Sequence, residues 1–150
     1  MALNTFFSKH IFLADDDAED RDIFAEALAE VYSEAILTQA DNGMKLMDLL
    51  NIPPQPMPDV IFLDLNMPGK SGYDCMAEIR ACKNMNGFPV VIFTTSSMED
   101  DIDHLFGLGA NHYVSKPATF DKLKDVIRQV LNIDWSGKIA PTRQNFVLSA

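Results

Sequence analysis

The sequence has only two cysteines, Cys75 and Cys82, seven residues apart in a segment of helical character. That spacing fits no metal-ligand motif, so both read as reduced packing residues. No apolar run approaches the roughly 20 residues that span a bilayer. Basic residues are few: 12 Lys and Arg against 22 Asp and Glu leave a formal net charge of -10. Phosphate backbones need a basic patch, so this balance argues against nucleic-acid binding and favours a cation or a basic protein partner. The histidines His10, His104 and His112 are scattered over separate segments and form no zinc motif. No internal repeat or low-complexity segment is present. Residues 1–17 carry no basic stretch ahead of a long apolar one and do not read as a secretory signal. The expected setting is a reducing cytoplasm, with neither membrane nor nucleic acid as partner.

What the sequence does have is an alternation. Short apolar runs at 10–14, 34–40, 59–65, 88–95 and 111–115 read as strands. Between and after them, amphipathic segments at 18–32, 42–51, 73–83, 98–109 and 120–132 read as helices. The first places Ile23, Ala27 and Val31 on one face, with Phe24 and Leu28 beside them. The last gathers Leu123, Ile127, Val130 and Leu131, and Gly109 is suited to close the fourth. Four prolines mark 52–58 as a loop. Strands alternating with helices imply parallel pairing through right-handed crossovers. The near-continuous apolar strands imply a sheet covered on both faces. Five units fall short of the eight of a closed barrel, so the expected fold is α/β: an open, doubly wound, five-stranded parallel sheet. Residues 1–132 are expected to form the domain. Residues 133–150 make a tail too short for a second one. Its Trp135, Phe146, Val147 and Leu148 can pack back on the domain, meet a second copy of the chain or stay loose, and three consecutive apolar residues favour the first two.

Chemistry concentrates where the strands end. In an open α/β sheet, ligands bind beyond the carboxyl ends of the strands. The first strand runs into Asp15-Asp16-Asp17, the third into Asp64, the fourth into Thr94-Thr95, and the fifth into Ser115-Lys116-Pro117. Like charges about 4 Å apart repel by roughly 4 kcal/mol at an effective dielectric near 20, so an acidic triplet needs something to offset it. Asp17 is a plausible N-cap for the first helix, and the acids after it suit the positive end of that helix. If the first and third strands are neighbours, Asp15, Asp16 and Asp64 converge, and a divalent cation with Lys116 can hold them. Mg²⁺ fits best, because it takes one or two carboxylates, phosphate oxygens and water. Asp64 is the sharpest candidate: a carboxylate can attack a phosphoryl group, and the metal and Lys116 supply the positive charge that the transfer needs. Thr94 is placed to hydrogen-bond a phosphoryl oxygen. The triplet also mimics a calcium loop, with Asp15, Asp17, Glu19 and Glu26 at positions 1, 3, 5 and 12. Asp20 stands where that loop needs glycine, and a strand precedes it, so the calcium reading fails.

The segments LADDDAEDR, DVIFLDLNMPGKSG, PVVIFTT and YVSKP, in that order, resemble the response-regulator receiver family of two-component signalling. The resemblance covers about residues 9 to 132, and it implies a stand-alone receiver with flavodoxin-like strand order 2-1-3-4-5. It implies that Asp16 ligates Mg²⁺ directly and Asp15 largely through water. It makes Asp64 the phospho-acceptor and a metal ligand, and has Asn66 offer its backbone carbonyl. Lys116 would pair with Asp64 and then with the phosphoryl group. Thr94 would move toward that group and Tyr113 swing inward with it. Pro117 would follow a cis bond. Such domains take their phosphoryl group from a sensor histidine kinase or a histidine phosphotransfer domain and signal to a downstream protein target. The position after the switch threonine is usually small in such proteins, and here it is Thr95, which narrows access.

Three other functions compete. An aspartate-nucleophile phosphohydrolase needs a general acid two residues after the nucleophile, and Asn66 occupies that position. A flavodoxin-like cofactor carrier needs a hydroxyl- and glycine-rich phosphate loop where this chain has three aspartates. An unphosphorylated binding module on the same fold has no use for the set Asp15, Asp16, Asp64, Thr94 and Lys116. The expected function is therefore a phospho-acceptor switch and not an enzyme, beyond slow loss of its own phosphoryl group.

Overall fold

The computed structural model describes residues 9–52, 57–135 and 140–149. Readings made on residues 1–8, on the middle of the proline-rich loop and on 136–139 lie outside the described residues. The chain builds β1 (His10–Ala14), α1 (Ala18–Val31), β2 (Ile36–Ala40), α2 (Gly43–Asn51), β3 (Val60–Leu63) and α3 (Gly72–Ala81). It continues with β4 (Val90–Thr94), α4 (Glu99–Gly107), β5 (His112–Ser115), α5 (Phe120–Leu131) and the short β6 (Val147–Leu148). All strand pairs are parallel, in the order β2-β1-β3-β4-β5-β6. Every residue of β1, β3 and β4 is buried, as central strands covered on both faces require.

Alternation along the strands sorts the core into two layers. Phe12, Ile61, Leu63, Ile92 and Tyr113 face α2, α3 and α4. Ile11, Leu13, Phe62, Val91, Phe93 and Val114 face α1 and α5. On that second face Phe24, Phe62 and Phe93 meet edge to face, with centroids 4.9, 5.6 and 6.0 Å apart, an arrangement worth about 0.5–1.5 kcal/mol per pair beyond the area buried. The α5 stripe is as its sequence pattern indicates, with Leu123, Ile127, Val130 and Leu131 all buried. The α1 stripe is rotated from the expected one. Phe24, Ala27 and Leu28 are buried, Val31 is half-buried, and Ile23 is 44% exposed. α1 shares its face of the sheet with α5, which narrows the arc it can bury.

Helix ends follow their capping residues. Asp17 caps α1 by accepting the Asp20 N–H at 3.1 Å. Ser71 and Asp74 form a reciprocal capping box on α3. Gly109, at φ +94°, follows α4 in the left-handed conformation that ends helices cheaply only for glycine. Burial pushes the Cys75 thiol up to about 11, so it stays a protonated packing group. The histidines are structural: His10 Nε2 lies 2.7 Å from the Thr38 hydroxyl, His104 stacks on Tyr73, and His112 Nδ1 donates to the Phe146 carbonyl at 3.1 Å. Among the described residues no helix is long and apolar enough to cross a membrane.

The tail adds an element that the alternation does not foreshadow. Val147 and Leu148 pair with Tyr113 and Val114 and extend the sheet to six strands. Phe146 is fully buried, 5.2 Å from Phe106 and 6.2 Å from Tyr113 between ring centroids. Arg143 bonds to Asp103 and Glu99 of α4, and Gln129 of α5 donates to the Ser149 carbonyl. A two-residue strand carries no period to detect, and its pairing depends on where the β5 edge lies. That edge is covered by it.

Candidate functional site

The same alternation that sorts the core aims the acids. Ala14 and Leu63 face the α2–α4 layer, so Asp15 and Asp64, one residue on, turn to the α1/α5 side. The ladder carries past both strand ends: the Asp64 N–H donates to the Ala14 carbonyl, and the Asp15 N–H to the Ala40 carbonyl, each at 3.0 Å. On β5, Tyr113 faces the α4 layer, so Lys116, three residues on, also turns toward α1. Its ammonium lies 5.7 Å from the centroid of the Phe93 ring.

Carboxylate oxygens of Asp15, Asp16 and Asp64 lie within 4.8 Å of one another. Asp15 and Asp64 are buried, and Asp16 is exposed. Lys116 Nζ is 2.7 Å from Asp15, 2.8 Å from Asp20 and 3.4 Å from Asp64. The Asp15 Oδ2 contact is an ion pair without a well-directed hydrogen bond, so this buried oxygen keeps unused acceptor capacity. Hard oxygen donors from two strand ends, with no sulfur or imidazole among them, suit a divalent cation of the alkaline-earth type. One ammonium cannot neutralise three convergent carboxylates, and a divalent cation supplies the missing charge.

Burial pushes the Asp15 carboxyl up from 3.8 to about 6. Lys116 and the Asp17 N–H act against that rise, and the charge of Asp64 adds to it. For Lys116, burial alone would lower the ammonium, but Asp15, Asp20 and the field of Asp64 hold it above its usual range. A carboxyl raised by folding favours the folded chain below its unfolded value and loses that contribution as pH climbs through its folded one. The window for Asp15 is therefore 3.8 to about 6. Asp15→Asn, neutral at every pH, should stabilise the metal-free protein above about pH 7 and gain nothing near pH 4 or below. Urea unfolding of both proteins in chelator at the two pH values checks this. A divalent cation reverses the preference, since it binds the charged form.

Thr94 ends β4 fully buried, and its hydroxyl has no hydrogen-bond partner among the described residues. Its carbonyl accepts the Lys116 N–H at 2.7 Å. Tyr113 is wholly buried with its ring already inward, and its hydroxyl donates to the Ser96 carbonyl at 3.0 Å. Ser115 Oγ donates to the same carbonyl, and Ser96 Oγ to Asp101. Asn66 lies exposed two residues past Asp64, Thr95 is exposed beyond Thr94, and Pro117 is half-buried after Lys116. Two partners escape a reading of the sequence. Asp20 looks like a helix-dipole acid, and only the fold brings it to Lys116. Ser96 gives no signal, because its role is carried by a backbone carbonyl.

Gly72 sets the height of the Asp64 loop. Its N–H donates to the Leu65 carbonyl at 2.9 Å, and a Cβ added there would stand 2.2 Å from the Asp64 carbonyl oxygen and 2.7 Å from Leu65 Cα. These are backbone atoms that cannot rotate away. Gly72→Ala should therefore cost about 1–3 kcal/mol, in the range of overpacked interiors, and displace the Asp64 backbone. Urea unfolding measures the cost, and amide shifts of residues 63–66 report the displacement.

The fold and this rim of carboxylates, lysine and hydroxyl are those of a receiver. The model of the response regulator receiver domain family matches residues 11–128, and the chain belongs to that family. It is 32% identical over 130 residues to response regulator Rcp1 of Synechocystis sp., covering 84% of this chain and 86% of that protein. The phosphorylated cyanobacterial phytochrome response regulator RcpA superposes with a TM-score of 0.78 at 32% identity, covering 91% of this chain and all of that one. The Mn²⁺-bound form of Rcp1 superposes with a TM-score of 0.74 at 28% identity, covering 89% of this chain and 99% of that one. The strand order expected from the resemblance, 2-1-3-4-5, is the one observed, with β6 added at the β5 edge. Receivers are signalling modules that hold a divalent metal at such an acidic pocket, exchange phosphoryl groups with histidine kinases and act on downstream targets.

Proposed function

We propose that this protein is a phosphorylation-driven switch whose acceptor is Asp64. The observation that carries the reading is the meeting of Asp64 with Asp15, Asp16 and Lys116 at one sheet rim. The buried Thr94 hydroxyl at the end of the adjacent strand supports it. Asp64 attacks the phosphorus of a phosphohistidine on a sensor kinase or phosphotransfer domain. The new O–P bond forms as the N–P bond breaks, and the departing imidazole nitrogen takes up a proton. Asp15, Asp16, Asp64 and the Asn66 carbonyl would hold Mg²⁺, which when bound neutralises charge on the transferring group. Lys116 pairs with a phosphoryl oxygen, and the Thr94 hydroxyl donates to another.

Thr94 turning toward the phosphoryl group would shift β4 and the loop that Tyr113 and Ser115 hold through Ser96, biasing the α4–β5–α5 face between two states. A downstream protein reads that face together with the β6 segment that covers its β5 edge, and a second copy of the chain is a further candidate partner there. The chain works as a cytoplasmic module in this reading. Incubation with Mg²⁺ and a cognate phosphohistidine donor, or acetyl phosphate, should add one phosphoryl group that peptide mapping places on Asp64. A label on a histidine, or none from any donor, would end the reading.

A further inference from the structure

Lys116 lies nearer to Asp15 and Asp20, at 2.7 and 2.8 Å, than to the proposed acceptor at 3.4 Å. Its directed hydrogen bonds run to Asp20 and Asp64, and the shorter, 2.8 Å against 3.4 Å, is to Asp20. Asp20 belongs to the first turn of α1, where its N–H is fixed by the Asp17 cap at 3.1 Å. The anchor is therefore rigid at its backbone. It is also the most hydrated of the three carboxylates that share the ammonium: its side chain is 35% exposed, against 1% for Asp15 and 7% for Asp64.

We infer that Asp20 is a positioning residue, which parks the Lys116 ammonium on the α1 side until Asp64 carries a phosphoryl group. This rests on Asp64 being the acceptor. An ammonium has three donors on a flexible stem, so it can stay on Asp15 and pivot between Asp20 and Asp64. A phosphoryl group brings more charge and more acceptor oxygens than the carboxylate it modifies, so it outbids Asp20. The half-solvated Asp20 gives up the ammonium at little cost, because water replaces it. Before transfer the shared lysine leaves Asp64 freer for a divalent cation, although it stays 2.7 Å from Asp15. After transfer, Asp20 is a competitor that lowers the apparent grip on the phosphoryl group by the share of lysine it retains.

Charge removal at this position therefore has two effects of opposite sign. In Asp20→Asn the ammonium falls back on Asp15 and Asp64, and the site loses a negative charge. Mg²⁺ affinity, measured by calorimetry without any phosphoryl analogue, should weaken about three- to fivefold, the size of one partly exposed ion pair. At saturating Mg²⁺, affinity for beryllofluoride should rise by about the same factor, because the competitor is gone. Asp20→Glu restores the charge and should return both constants toward wild type. A residue that only braces α1 would weaken both affinities together or change neither, and either result overturns the assignment. Urea unfolding of each variant separates a loss of fold from a change at the site. If the wild type itself takes no beryllofluoride with Mg²⁺, the acceptor reading fails first and this inference fails with it, an outcome visible before any variant is made.

Discussion

Replacing Asp64 with Asn is expected to abolish phosphoryl uptake completely while leaving the fold at least as stable. The loss has two parts. The amide oxygen of Asn is a poor nucleophile toward phosphorus, so no O–P bond forms whatever the donor. The substitution also removes one of the three carboxylates that converge within 4.8 Å, so Mg²⁺ binding should weaken roughly tenfold or more, as loss of a charged ligand implies. Stability moves the other way. Asp64 adds to the unfavourable charge around Asp15, and two unit charges that close repel by roughly 3–4 kcal/mol at an effective dielectric near 20. Lys116 keeps Asp15 at 2.7 Å and Asp20 at 2.8 Å, so no ammonium is stranded. Phosphotransfer from a labelled donor, calorimetric Mg²⁺ titration and urea unfolding of the same preparation test all three parts. Retained phosphorylation in a folded Asp64→Asn protein would show that the acceptor lies elsewhere.

The parts of this site are legible in the sequence to different degrees. Strands such as His10–Ala14 and Val90–Thr94 announce themselves as unbroken apolar runs because both of their faces are buried. The rim residues Asp15, Asp64, Thr94 and Lys116 follow from where those runs stop. Period-two alternation then decides which face each one turns to, and that is why a linear reading can bring together groups 52 residues apart. The contacts made across packed helices were not legible. Asp20 sits three residues after the Asp17 cap, where any acid serves the helix dipole, and its link to Lys116, 96 residues away, exists only once α1 packs beside α5 on one face of the sheet. Ile23 shows the same limit. It satisfies helical periodicity as well as Phe24 does, yet it is 44% exposed where Phe24 is fully buried. Tyr113 stands inward, tied to a carbonyl that no side-chain pattern reveals.

The largest stability loss is expected far from the acids, at Phe146. Its ring is fully buried against Phe106 and Tyr113, and truncating such a ring typically costs about 3–5 kcal/mol once the residual cavity is included. For a chain of this length that lowers the melting temperature by on the order of 10 °C. The effect should be specific to the ring. The Phe146 carbonyl accepts the Tyr113 N–H at 3.0 Å and His112 Nδ1 at 3.1 Å, and Phe146→Ala keeps that carbonyl. Val147, 40% exposed on the same short strand, should lose only about 0.5–1 kcal/mol on truncation to Ala, and Arg143→Ala should change stability little, since its partners on α4 are exposed. A tail that merely brushed the sheet would give small losses at all three positions. Protein concentration decides whose sheet the tail completes. Docking within one chain makes the unfolding midpoint independent of concentration, whereas a tail exchanged between two copies makes it rise with concentration. The β5–β6 register of Tyr113 with Val147 and Val114 with Leu148 lies within one chain, so the midpoint should stay constant across a hundredfold dilution.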